Sequence, residues 1–164
     1  MKHFPFAVIV AAFLPTGARA DPFYDRTIAE QGAVYACFAR IYDDAHLRNH
    51  PRQRVTHFFL RHSEAEDLTP PESFDVVIGY RLKGSTDAFV TEAGCDAEGD
   101  GATCSAEGDA GFFKLTGDAR QVTVTIDDRL YLEGHVSFSP NLAKDGDDSP
   151  LQLKPSPTAD CHFE

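Results

Sequence analysis

"SFDVVIGYRLKGSTDAFVTEA", residues 73–93, alternates apolar and polar side chains with a period of two. Phe74, Val76, Ile78, Tyr80 and Leu82 fall on one face of an extended chain. Asp75, Arg81 and Lys83 fall on the other. A strand turns successive side chains to opposite sides, so this spacing describes a strand with one face on a core. Gly84 to Asp87 then supply turn residues, and Ala88 to Ala93 pair back as the second arm of a hairpin.

The pattern extends in both directions. Residues 33–40 and 54–62 read as strands upstream, and residues 111–117 and 120–126 downstream. In the last of these Val122, Val124 and Ile126 face the core, with Thr123 and Thr125 outside. Asp127-Asp128 reads as a tight turn, residues 129–138 as the returning strand, and residues 151–155 as the final one. Residues 21–32 read as a polar arm anchored by Phe23 and Tyr24. One short helix is expected near residues 43–50, with Asp43 as its N-cap and Pro51 ending it.

The fold class is therefore all-β, with most strands joined locally. An antiparallel barrel of about eight strands is expected, because closing a meander removes its exposed edges. A two-sheet β-sandwich is the alternative. The chain has no Trp and its single Met is the first residue, so the core falls to Phe, Val, Leu, Ile and Tyr.

Residues 1–20, "MKHFPFAVIVAAFLPTGARA", have the form of a signal peptide. Lys2 is the positive end, Phe4 to Leu14 the apolar stretch, and Ala18-Arg19-Ala20 the cleavage signature. Cleavage after Ala20 leaves one exported domain, residues 21–164. The apolar stretch is shorter than the roughly 20 residues that span a bilayer. A periplasmic or secreted monomer without stable membrane insertion is expected. Losing Lys2 and Arg19 takes the basic residues from 15 to 13 against 26 acids, a net charge of −13. That balance argues against nucleic acid as a partner.

All four cysteines, Cys37, Cys95, Cys104 and Cys161, lie beyond the cleavage point. An even count in an exported chain reads as two disulfides. Of the three pairings, Cys95–Cys104 with Cys37–Cys161 is favoured: one short loop, and one tie from the first strand to the C-terminus.

Cys95 opens the most unusual stretch, "CDAEGDGATCSAEGDAGFF", residues 95–113, which contains C-x-A-E-G-D twice. Asp96, Glu98 and Asp100 alternate as calcium ligands do. The closing Glu of a helix-loop-helix site is missing, and two copies are too few for a calcium-binding repeat array. A solvated acidic hairpin loop bracketed by a disulfide is expected instead.

Residues 40–62 concentrate positive charge in an acidic chain: Arg40, Arg48, Arg52, Arg54 and Arg61, with His46, His50, His57 and His62. Guanidinium groups in such number suit an anion or an acidic protein surface. The ordinary alternative is pairing with acidic loops of the same molecule. His46 and His50, four apart, would share a helix face. They do not make H-E-x-x-H, and Arg48 and Arg52 would repel a dication, so no metal is expected. His57 and His62 should lie on opposite faces of their strand.

The run "CFARIYDDAHLRNHPRQRVTHFFL", residues 37–60, resembles a group of small exported proteobacterial proteins. These carry a cysteine, then A-H-L-x-x-H-P-x-Q-x-V, then a strand. Ala45, His46, Leu47, His50, Pro51, Gln53 and Val55 match. A central cysteine pair and a near-terminal cysteine recur in that group. Its C-x-x-E-C-D-G-G stretch is here "CSAEGDAG", with Gly108 in place of a cysteine, which implies one disulfide fewer. The group carries no assigned activity, so the resemblance implies compartment and fold.

No G-x-S-x-G is present, and paired cysteines are not nucleophiles, so no enzyme and no cofactor are expected. The first expectation is a non-catalytic exported barrel that binds a small ligand or an envelope protein. Its expected contacts are His46, His50, Arg48, Arg52 and Arg54. Any cavity would be lined by the inner faces of residues 74–82 and 120–126. The alternative is an inhibitor or envelope-protection protein, presenting acidic loop 96–109 or 145–148 to a basic hydrolase. A third option is an enzyme with His46 or His50 as base and Asp43 or Asp44 as its orienter.

Overall fold

Eight antiparallel strands close into a barrel in sequence order: β1 Cys37–Ile41, β2 Val55–His62, β3 Ser73–Leu82, β4 Ala88–Glu98, β5 Gly101–Ala106, β6 Gly111–Asp118, β7 Gln121–Leu130 and β8 Leu151–Pro155. β8 returns to β1 through Phe38↔Pro155 and Ala39↔Lys154, which leaves no open sheet edge. The computed structural model describes residues 23–32, 36–63, 73–144 and 149–163. The expected signal peptide, residues 33–35, the Pro70-Pro71 segment and acidic residues 145–148 lie outside the described residues.

The alternation in β3 is what the barrel uses. Phe74, Val76, Ile78 and Tyr80 are at most 2 % exposed, and Leu82 is buried too. They join Phe38, Phe58, Phe89, Phe113, Leu115, Val122 and Val124 in one continuous core. Each fully buried Leu, Val or Phe side chain contributes roughly 1.5–3 kcal/mol. The outer wall carries Lys114, Thr116, Gln152 and Lys154, all exposed. Apolar inside and polar outside is the reverse of a barrel that faces lipid.

Two small pieces complete the fold. Helix α1, Phe23–Thr27, caps the end of the barrel where β1 starts. Its Phe23 is fully buried and stacks on Phe74 at 6.2 Å, and the Gln31 amide donates to the Ala119 carbonyl at 2.7 Å. The expected polar arm is thus a plug, held by an aromatic anchor. On the outer face of β1–β3, Cys37, Ala39, Phe59 and Val77 form a second, small cluster covered by the C-terminal segment. The Cys37–Cys161 disulfide and Phe163, 4.9 Å from Phe59, fasten that segment.

The duplicated acidic motif is not one loop. β4 continues to Glu98, and β5 begins at Gly101. Cys95 and Cys104 sit directly opposite each other in this ladder and bond, with their Cα atoms 4.0 Å apart and both sulfurs in the core. Each C-x-A-E-G-D copy is the end of a strand plus the following turn. Gly99 and Gly108 take left-handed backbone at φ 58° and 63°, where glycine is favoured. The nine-residue repeat therefore measures one strand and one turn, and its two turns lie at opposite ends of the barrel. β5 escapes a hydrophobicity reading because its inward residues, Ala102, Cys104 and Ala106, are small.

Two further expectations are corrected. Asp127-Asp128 is not a turn: β7 runs through it to Leu130. Register shifts there, Gly111 pairing with Leu130 and Phe113 with Ile126, so three residues of β7 bulge opposite Phe112. Residues 129–138 are likewise not a returning strand. Past Leu130 the chain makes an irregular excursion with one isolated bridge, Glu133↔Phe138, before β8.

Candidate functional site

The barrel end opposite α1 collects four connections: the β1–β2 segment with helix α2, the turn 83–87 between β3 and β4, the turn 107–110 between β5 and β6, and the long excursion between β7 and β8. Helix α2, Asp44–Asn49, forms as the sequence requires, with the Asp43 carboxylate accepting from the His46 N–H at 2.7 Å. Leu47 packs against the core beneath it. Gln53 is buried and its amide donates to the Val55 carbonyl at 3.0 Å, while Val55 itself is in the core. The A-H-L-x-x-H-P-x-Q-x-V run thus builds a lid.

The arginines and histidines separate. His46 and His50 do share one face: their rings stack at 4.0 Å, and His46 lies 4.7 Å from the Tyr42 ring. The His50 ring nitrogen Nδ1 is 2.9 Å from the His46 carbonyl. Arg48 and Arg52 are exposed. Arg54 turns to the excursion instead, donating to the carbonyls of Asn141 and Lys144. Arg40 lies over the Tyr42 ring, its guanidinium carbon 4.9 Å from the centroid. Of the five expected contact residues, His46 and His50 come together, Arg48 and Arg52 face solvent, and Arg54 anchors a loop.

His57 and His62 occupy opposite faces of β2, as their spacing requires. His57 is on the outer face, 5.0 Å from the Phe163 ring. His62 is at the α1 end, its Nε2 3.4 Å from the Tyr24 hydroxyl. Burial lowers the pKa of both below the ordinary histidine value. Asp160 pulls His57 back upward and Arg81 adds to the lowering; Asp75 and Arg61 do the same for His62. In the unfolded chain both protonate near pH 6.5, so below that pH the unfolded state binds more protons. This contribution to stability is fully present above about pH 6.5 and declines as pH falls toward the folded values. The urea midpoint should therefore drop between about pH 7.5 and 5.5. The His57→Gln/His62→Gln variant should show a shallower drop; an unchanged slope would remove both residues from the effect.

Two acids of the first repeat, Asp96 and Glu98, are engaged across the sheet. Asp96 accepts from the Ser73 hydroxyl at 2.7 Å, and Glu98 from the Thr103 hydroxyl at 2.6 Å. Among the described residues no group of three or more His, Cys, Asp or Glu is placed to hold a metal ion. The inner faces of residues 74–82 and 120–126, where an interior ligand would sit, are packed into the core.

What the sequence did not expose is the excursion. Asp87 is buried and accepts from the N–H groups of Val136 and Ser137, at 3.2 and 3.1 Å. The Tyr80 hydroxyl reaches Ser139 Oγ at 2.6 Å and accepts from the Leu132 N–H at 3.2 Å. The Asn141 side chain accepts from the N–H groups of Leu130 and Ala143. This fastening holds apolar side chains outward: Val136 is 80 % and Phe138 66 % exposed. Phe112 and Val90 are 45 % and 43 % exposed. Gly134 was the available signal, since a glycine inside a strand weakens it. No family model, curated protein or solved structure matches the chain.

Proposed function

We propose that this protein is an exported, non-catalytic barrel that binds an envelope protein through the barrel end carrying α2 and the excursion. The observation that carries the reading is the contrast within residues 131–142. Buried Asp87, Tyr80 and Ser139 hold this segment to the barrel, yet Val136 and Phe138 stand in solvent. Fixed apolar side chains cost little entropy on association, and aromatic anchors dominate interface energy. Two disulfides support an oxidising compartment, where such a surface would meet its partner. Arg48, Arg52 and His50 are exposed on or just after α2, at the same barrel end. Arg54 serves it indirectly by holding the excursion.

Two defined variants test the reading. Immobilised wild-type protein should retain a discrete set of envelope proteins that Val136→Asp/Phe138→Asp loses by at least about tenfold, as truncating an interface hot spot does. Arg48→Glu/Arg52→Glu should weaken retention less, since rim charges contribute mainly to association rate. Equal retention by wild type and Val136→Asp/Phe138→Asp, with both variants folded by circular dichroism, contradicts the proposal.

A further inference from the structure

Beside the excursion a groove of about 460 Å³ opens on the outer surface between β4, the 107–110 turn and residues 131–138. Its apolar part is made by Val90, Tyr131 and Phe138. Its charged lining is wholly acidic: Glu107, Asp109 and Glu133, all exposed, with no Lys, Arg or His among the lining residues. Glu107 and Asp109 belong to the second copy of the duplicated motif, so that motif delivers acid to the groove. Its first copy delivers acid to the far end of the barrel.

We infer that this groove takes a cationic segment of a partner protein, with Lys or Arg next to a Leu-, Phe- or Tyr-sized anchor. The inference rests on the partner-binding reading above and names the chemistry of the contact. Three carboxylates around an apolar floor favour that occupant on two counts. The anchor covers Phe138 and Val90, which are otherwise solvated. The cations answer a rim that would repel phosphates, nucleic acid and acidic proteins. The volume admits a few side chains and not a folded domain, so the occupant enters as an exposed segment. A net charge of −13 after loss of the leader draws cationic partners from a distance and sharpens the salt dependence.

The probe is a short fluorescent peptide alternating Arg with Leu, measured by anisotropy against the same peptide with Glu replacing Arg. The Arg–Leu peptide should bind, and its Kd should weaken several-fold between low and physiological salt. Glu107→Gln/Asp109→Asn/Glu133→Gln should weaken it about tenfold, three exposed charge contacts each contributing modestly. These three side chains are exposed, so the variant folds; a wild-type thermal transition checks that. Failure of the Arg–Leu peptide to bind, equal Kd for the triple variant, or equal binding of the Glu peptide overturns the inference. If the triple variant behaves as wild type while Phe138→Asp still loses envelope proteins, the cationic-segment inference falls and the partner-binding reading stands. If Phe138→Asp loses nothing, the broader reading falls as well.

Discussion

Replacing Cys37 and Cys161 together by Ala lowers the thermal midpoint by about 10 °C or more, from a loss of roughly 3–5 kcal/mol. The bond joins residues 124 apart, and a cross-link of that span removes up to about 4.9 kcal/mol of chain entropy from the unfolded state. It also fastens the C-terminal segment over Phe59 and Val77, which lie outside the barrel and cluster with Cys161 and Phe163. Alanine is the right substitute because both cysteines are buried, and serine would add unpaired hydroxyls. Cys95–Cys104 spans only 9 residues and is worth about 2.7 kcal/mol on the same model. Differential scanning calorimetry on the two double variants gives the order. A smaller loss for Cys37/Cys161 than for Cys95/Cys104 would show that the C-terminal segment is not held as described.

Gly111→Ala costs about 3–4 kcal/mol, more than most substitutions of so small a residue. Gly111 has φ 130°, a backbone region closed to other L-residues. A Cβ there would lie 2.0 Å from the Arg129 carbonyl oxygen and 2.8 Å from its carbon. Those are backbone atoms of the bulge in β7, so relief requires the strand itself to move. Gly99→Ala is the control: its φ is also positive, at 58°, but a Cβ would meet nothing within 4 Å. It should cost only about 1 kcal/mol. Urea denaturation of the pair separates conformational strain from collision. Equal midpoints would mean that the β6–β7 bulge is not closed around Gly111.

The barrel was legible where side chains alternate strongly between apolar and polar. Phe74 to Leu82 and Val122 to Ile126 name their inward faces without ambiguity, and both disulfides follow from the expected compartment and the cysteine spacing. β5 was hidden because Ala102, Cys104 and Ala106 carry too little apolar surface to signal a strand, and flanking acids suggested a loop. Leu130 and Leu132 misled in the opposite sense. They alternate and are buried, but the backbone beyond Leu130 pairs with Ala110, Tyr80 and Ser139 instead of a neighbouring strand. Asp87 looked like an ordinary turn residue. Its value lies in N–H groups 49 and 50 positions away, which no local pattern encodes. The candidate surface was therefore half legible. Charge density drew attention to Arg48, Arg52, His46 and His50, while Val136 and Phe138 passed as strand residues.

We propose that the excursion between β7 and β8 is the surface at which the barrel meets a partner. In-cell photo-crosslinking distinguishes this surface from the rest of the barrel. A benzoylphenylalanine is placed at Phe138, and in separate strains at Lys114 and Thr116 on the barrel wall. Irradiation should give discrete higher-mass species from the Phe138 position that are absent from the two wall positions. The same species from all three positions, or none from Phe138 when the protein is folded and exported, would rule out the excursion as that surface.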